Sequence, residues 1–90
     1  SLWEIMKVGE RAINMSRLFN IREGFGRKDD ILPDRLFQPL ENGKLEGVSI
    51  AKEEFDKAIS LYYDMMGWNQ DGIPNKGKLL ELNLGKFIDI

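Results

Sequence analysis

Ninety residues carrying 13 basic and 15 acidic side chains, a net charge of -2 and neither cysteine nor histidine leave room for one modest core and exclude disulfide bracing. Zinc sites, thiolate-held clusters and Ser/Cys-His nucleophiles all draw on the two missing side chains, so only carboxylate, lysine and tyrosine chemistry remains. The near-balanced charge offers no positive field of the kind nucleic acids reward, and no apolar run approaches the length of a membrane span.

The start, Ser1-Leu2-Trp3-Glu4, lacks the basic-then-apolar order of a secretion signal, which makes the cytoplasm the expected setting. Opening at serine on helix-like sequence also reads as a piece cut from something longer. From Leu2 to about Ile21 there is no proline and no turn cluster, and Glu4, Lys7, Arg11 and Asn14 recur at helical spacing, which predicts one long helix. Its apolar positions, among them Leu2, Trp3, Ile5, Met6, Val8, Ile13 and Phe19, exceed the single stripe of a surface helix, so partners are expected on two sides. Gly9 within it marks either a close backbone approach or a tolerated surface glycine.

Gly24 to Gly47 holds four glycines and two prolines, a density that predicts a long connection rather than regular structure. Phe25, Ile31, Leu32, Leu36, Phe37 and Leu40 anchor it, and a short helical turn is expected near Asp30 to Phe37. Arg17, Arg22, Arg27, Lys28 and Arg35 alternate with Glu23, Asp29, Asp30 and Asp34, a mixed-sign network suited to tying the connection down. Asp29 and Asp30 are read as a loop cap or arginine partner rather than a proton-sharing or cation-holding pair, because neighbouring side chains diverge on most backbones.

Ser49, or a looser start at Ile50 to Lys52, opens a second helix that reaches Met66. Ala51, Phe55, Ala58, Ile59, Tyr62 and Met66 place an apolar stripe on one face, and of the Tyr62-Tyr63 pair one ring is expected in the core. Gly67 is the left-handed stop. Trp68 through Pro74 forms a turn in which Trp68 seals the end of the core. Asn75 caps a third, short helix over Lys76 to Leu82, Asn83 closes it, and Leu84 to Ile90 is an apolar tail that docks or frays. Residues 1–90 thus read as a single all-α domain: one long helix, an extended ordered connection, a second amphipathic helix and a short third.

Three motifs fail on chemistry. Gly72-Ile73-Pro74-Asn75-Lys76-Gly77-Lys78 imitates a phosphate loop, but Leu79 stands where a hydroxyl must meet magnesium and Pro74 has no N–H to give. Gly24-Phe25-Gly26 has Asp29 in place of a dinucleotide fingerprint's third glycine. Asn69 and Asp71-Gly72 would put Gly67 and Lys78 at the terminal positions of a calcium loop, where carboxylates belong.

The order Gly9-Glu10-Arg11, Asn14, Arg17-Leu18-Phe19-Asn20, Arg22-Glu23-Gly24-Phe25, Arg27-Lys28-Asp29-Asp30, Leu32-Pro33-x-Arg35, Tyr62-Tyr63 and Gly67-Trp68-x-x-x-Gly72-Ile73-Pro74 resembles the C-terminal segment of the tungsten-containing aldehyde:ferredoxin oxidoreductases. The likeness runs from about Gly9 to Leu84. It implies a parent enzyme that oxidises aldehydes to carboxylic acids and passes two electrons from a tungsten bis-pterin (molybdopterin-type) centre through a [4Fe-4S] cluster to ferredoxin. By that resemblance the cluster cysteines and pterin motifs lie upstream, so this segment is expected to carry no catalytic, cofactor-binding or metal residue and to show no turnover alone. Asn69, Asn75 and Asn83 depart from the usual Asp, Thr and Gly, all turn-compatible exchanges. Arg22, Glu23, Arg27, Lys28, Asp29, Asp30, Arg35, Trp68 and Asp71 are expected to form a structural network or a partner-docking surface. The partners implied are the rest of the parent oxidoreductase and ferredoxin, the latter through Arg27, Lys28 and Arg35. A different reading is a stand-alone helical interaction module that binds a partner or itself through the apolar first helix.

Overall fold

The computed structural model describes residues 1–39, 41, 43 and 47–88. Helix α1 spans Leu2–Arg22, the expected long helix. It begins at a capping box, in which Ser1 Oγ accepts from the Glu4 N–H and the Glu4 carboxylate turns back to the Ser1 nitrogen. It stops where Gly24 takes φ +94°, a conformation that closes the helix end without a side-chain penalty.

The connection contains two 3-10 turns, Arg27–Asp29 and Asp34–Phe37, where one was expected. Asp29 nucleates the additional one by accepting from the Gly26 N–H at 2.9 Å. Leu40, the last of the expected anchors, lies outside the described residues. Helix α2 spans Lys52–Met66 and is led by Ala51 with no side-chain cap, so the looser start holds and Ser49 is not its cap. Gly67 ends α2 in the left-handed region at φ 75°. The inward stripe of α2 is rotated from the expected one: Tyr63 is 1% exposed, whereas Tyr62 is 46% exposed. Hydrophobic periodicity does not reveal why the less obvious tyrosine wins; the polar network described below does.

Helix α3 spans Lys76–Glu81, one residue shorter than expected, with Leu82 as its cap and Asn83 at φ 61° closing it. A last 3-10 turn at Gly85–Phe87 folds back, and Phe87 and Ile88 pack on the apolar cluster of Leu18, Leu79, Leu82 and Leu84. The tail therefore docks as far as Ile88; Asp89 and Ile90 lie outside the described residues. Among the described residues there is no strand, and the only pairing of extended backbone is a bridge between Trp68 and Pro74. Among the described residues no helix is long and apolar enough to cross a membrane.

The connection, the tryptophan loop and α3 are tied to one side of α1. Only Asn14 and Leu18 of α1 are buried, so the expectation of partners on two sides is met on one. A Cβ built on Gly9 meets nothing within 4 Å, which leaves that glycine open within the segment. The accessible surface is 6945 Å², against roughly 5,400 Å² for a self-contained monomer of this mass. The radius of gyration of 16.6 Å likewise exceeds the ~12 Å of a compact chain of this length.

Candidate functional site

The polar residues converge at the crossing of α1, the first 3-10 turn, α2 and the tryptophan loop. Asn14 sits on the buried face of α1, fully enclosed, and both halves of its amide are used. Its Nδ2 donates to the Glu10 carbonyl at 2.9 Å, and its Oδ1 accepts from Trp68 Nε1 at 2.9 Å. One helical turn on, Arg17 spreads its guanidinium over three elements. Nε donates to the Gly72 carbonyl at 2.7 Å, while Nη1 and Nη2 grip the two Asp30 oxygens at 2.9 and 2.7 Å. The Tyr63 hydroxyl donates to the same carboxylate. The guanidinium carbon lies 4.7 Å from the Trp68 ring centre, so charge pairing and cation–π stacking act at one place.

Arg27 closes the other side of Tyr63, its guanidinium 5.3 Å from the ring centre. It donates to the Gln70 carbonyl at 2.9 Å, to Gln70 Oε1 at 3.1 Å, to the Asp56 carbonyl at 3.3 Å and to Ser60 Oγ at 2.9 Å. Tyr62, Tyr63 and Trp68 pack edge-on or tilted at centroid distances of 5.7 to 6.5 Å. The tryptophan loop is held by Asn69, whose Oδ1 accepts from the Asp71 and Ile73 N–H groups at 2.9 and 3.0 Å. Asn69→Ala is expected to open this loop at a cost of about 1–2 kcal/mol, since two N–H groups lose their acceptor. Asn69→Asp keeps the acceptor and should stay within about 0.5 kcal/mol; hydrogen exchange at the Asp71 and Ile73 amides distinguishes the two.

The electrostatics are those of a satisfied clasp. The hydrogen bonds from Arg17 hold the Asp30 carboxyl below its ordinary range, outweighing the opposing effect of burial, and the Tyr63 hydroxyl adds to the depression. Burial pushes the Tyr63 hydroxyl up, and its bond to Asp30 adds to that. Both Asp30 oxygens are engaged by Arg17 and Tyr63. A groove of about 450 Å³ runs alongside, lined by Ile31, Leu32, Phe37, Phe55 and Ile59 together with Arg27, Lys28, Asp30, Asp34, Lys52 and Asp56, an apolar trough with charges of both signs.

A second ionic group ties α3 to α1. Lys7 bonds Glu10 at 2.8 Å and also Glu81, while Lys78 approaches Glu10 at 3.4 Å and Glu81 at 3.1 Å. Arg11 Nε adds a bond of 2.9 Å to the Leu82 carbonyl. Lys7 lowers both Glu10 and Glu81, and Glu10 in turn raises Lys7.

Of the nine residues picked from the sequence, Arg27, Asp30 and Trp68 enter the clasp directly. Asp29 caps the 3-10 turn at Gly26, and Asp71 takes part through its backbone N–H. Arg22, Glu23, Lys28 and Arg35 are exposed and do not join it. Asn14, Arg17 and Tyr63 were not among the nine, though they are its centre. The available signal was positional: Asn14 and Arg17 are three apart on the one face of the helix that also carries Lys7, Glu10 and Arg11. Among the described residues no three Asp, Glu, His or Cys side chains gather as a metal site would require.

The sequence matches the family described as aldehyde ferredoxin oxidoreductase, domains 2 & 3, over residues 1–84. The tungsten-containing aldehyde ferredoxin oxidoreductase of Pyrococcus furiosus is 37% identical over 86 residues, which cover 93% of this chain and 14% of that protein. Its counterpart from Pyrococcus abyssi is 38% identical over 87 residues, covering 94% and 14%. The aliphatic sulfonate oxidoreductase WOR-like subunit of Pyrococcus furiosus is 31% identical over 85 residues, covering 89% and 14%. The chain thus spans about one seventh of the length of these relatives, and nothing in the comparisons favours a stand-alone interaction module.

Proposed function

The chain belongs to the aldehyde ferredoxin oxidoreductase family, and from that premise we propose that it is a structural wall segment of a parent enzyme that oxidises aldehydes and reduces ferredoxin in the cytoplasm. The observation that carries this reading is the match over residues 1–84 to relatives of which the chain spans 14%. A tungsten bis-pterin centre and a [4Fe-4S] cluster fall, on this reading, to the remainder of the polypeptide. The residues in hand do not fit them: there is no thiolate to hold a cluster, and the Asp30 carboxylate is saturated by Arg17 and Tyr63.

What these residues do is hold shape. The clasp locks α1, the connection, α2 and the tryptophan loop to one another, so that whatever packs against them meets a rigid face. The likeness extends with similar coverage to a relative named for aliphatic sulfonates, which supports a scaffolding role over selection of the substrate. The test is the native gene product. It should be a family-length polypeptide, cysteine-bearing ahead of Ser1, that contains tungsten and iron and reduces ferredoxin when given an aldehyde. Isolation of a native product of ninety residues alone defeats the proposal.

Ferredoxin docking through Arg27, Lys28 and Arg35 is the weaker use of this surface, because Arg27 is turned inward onto Gln70, Asp56 and Ser60. Lys28→Glu with Arg35→Glu in the whole enzyme is expected to leave the rate of ferredoxin reduction within twofold. A fall of tenfold or more that high salt abolishes in the unaltered enzyme would restore the docking role.

A further inference from the structure

Helix α1 is inside out. At about 100° per residue, its six charged residues, Glu4, Lys7, Glu10, Arg11, Arg17 and Arg22, fall within an arc of roughly 140°. That arc is the one turned toward the rest of the segment: Lys7, Glu10, Arg11 and Arg17 all bond to α3, Leu82, Gly72 or Asp30. The opposite half of the helix carries no charge at all. It presents Leu2, Ile5, Met6, Val8, Ile13 and Phe19, each between 48% and 73% exposed. Gly9, Ala12 and Ser16 run down its middle, and the space over Gly9 is open.

A helix that faces water places its charges outward and its apolar stripe inward. Here the order is reversed, and the segment's surface exceeds that of a self-contained chain by roughly 1,500 Å², more than the ~800 Å² that one partner contributes to a standard specific interface. We infer that this uncharged half of α1 is a buried packing face covered by an apolar surface of the remaining parent polypeptide, which approaches the helix backbone closely at Gly9. The inference rests on the parent-enzyme reading and assigns the contact. The occupant follows from length: with the chain spanning 14% of its relatives, most of the polypeptide is covalently tethered nearby. A tethered surface outcompetes a second copy through its effective concentration. The large side chains supply burial, and the small ones along the centre admit a neighbouring backbone.

Methionine oxidation in the full-length native enzyme tests it, because Met6 and Met15 flank this face and both are exposed in the segment. With dilute peroxide, both should form sulfoxide at least tenfold more slowly in the folded enzyme than in the same enzyme unfolded in guanidinium. Rates at Met6 and Met15 close to the unfolded ones overturn the inference. Protection that vanishes when the enzyme is diluted to monomers assigns the cover to a second copy, and overturns it as well. Gly9→Ala gives an independent sign. A glycine on an open helix gains stability when replaced by alanine, so the expected result is a fall in the melting midpoint, and a rise overturns the close approach. Aldehyde oxidation measured on the same preparation separates the two levels. Active enzyme with unprotected methionines removes only this inference, and a ninety-residue native product removes both.

Discussion

Gly72→Ala should loosen the tryptophan loop more than any other single methyl group added to the described residues. Gly72 holds φ +79°, and a Cβ there would lie 2.1 Å from Arg17 Nη2 and 3.0 Å from both Cζ and the hydroxyl oxygen of Tyr63. The left-handed backbone costs an L-residue roughly 1–2 kcal/mol, and forcing a methyl into a filled site adds about 1–3 kcal/mol. The guanidinium cannot step aside, since its remaining nitrogens are held by Asp30 and its Nε by the Gly72 carbonyl itself. A total of about 2–5 kcal/mol is therefore expected, roughly one and a half to three and a half orders of magnitude in the exchange of the loop's protected amides. Gly67 is the internal comparison. It has φ +75°, and a Cβ would meet Lys78 Cε at 2.7 Å and Cβ at 3.2 Å, a flexible chain anchored only at its tip by Glu10 and Glu81. Gly67→Ala should cost the backbone penalty, about 1–2 kcal/mol, and at most about 1 kcal/mol more for loosening a partly exposed ion pair. Equal losses for the two variants would refute the claim that Arg17 and Tyr63 form an unyielding wall.

That wall also marks the limit of reading this chain as a string of letters. The helices were legible because their signals are local: an uninterrupted run for α1, a glycine stop after Met66, and glycine and proline density in between. The first 3-10 turn was not, since it depends on a carboxylate reaching back three residues to a glycine N–H. Periodicity put Tyr62 on the inward stripe of α2. Tyr63 is there because a hydroxyl buried at that point finds Asp30, whereas Tyr62, the more exposed ring, packs edge-on against Trp68. The clasp as a whole joins residues from positions 14 to 72, and no spacing rule reports a contact of that span. Arg27 and Asp30 were found because charges in a loop invite partners. Arg17 was read as part of the same mixed-sign network, but nothing local marked it as the centre.

Arg17→Met should cost about 2–4 kcal/mol, near the low end for severing one partner of a buried pair, because the side chains remain 11% and 25% exposed. The loss falls on Asp30, left partly buried with the Tyr63 hydroxyl as its remaining donor. Asp30→Asn alone strands the guanidinium in the same way. The two losses should not add: in the double variant neither charge is left facing an empty place, and a coupling of about 1–3 kcal/mol is expected. The pH dependence carries the sign. Asp30 has its carboxyl depressed in the folded state, chiefly by Arg17, so its contribution is complete above about pH 4, the unfolded value. It is lost as pH falls through the lower folded value. Tyr63 is raised, first by burial and then by Asp30, so its contribution is complete below about pH 10 and is lost as pH climbs through the higher folded value. Hydrogen exchange of the clasp amides in the native enzyme should therefore show an acid limb below pH 4 that Asp30→Asn flattens. Arg17→Met should move the onset of that limb upward in pH, because the partly buried carboxylate loses the bidentate partner that chiefly depresses it. An acid limb unchanged in both variants would mean that Asp30 titrates the same way folded and unfolded, and the clasp would then be a crossing of side chains with no energetic grip.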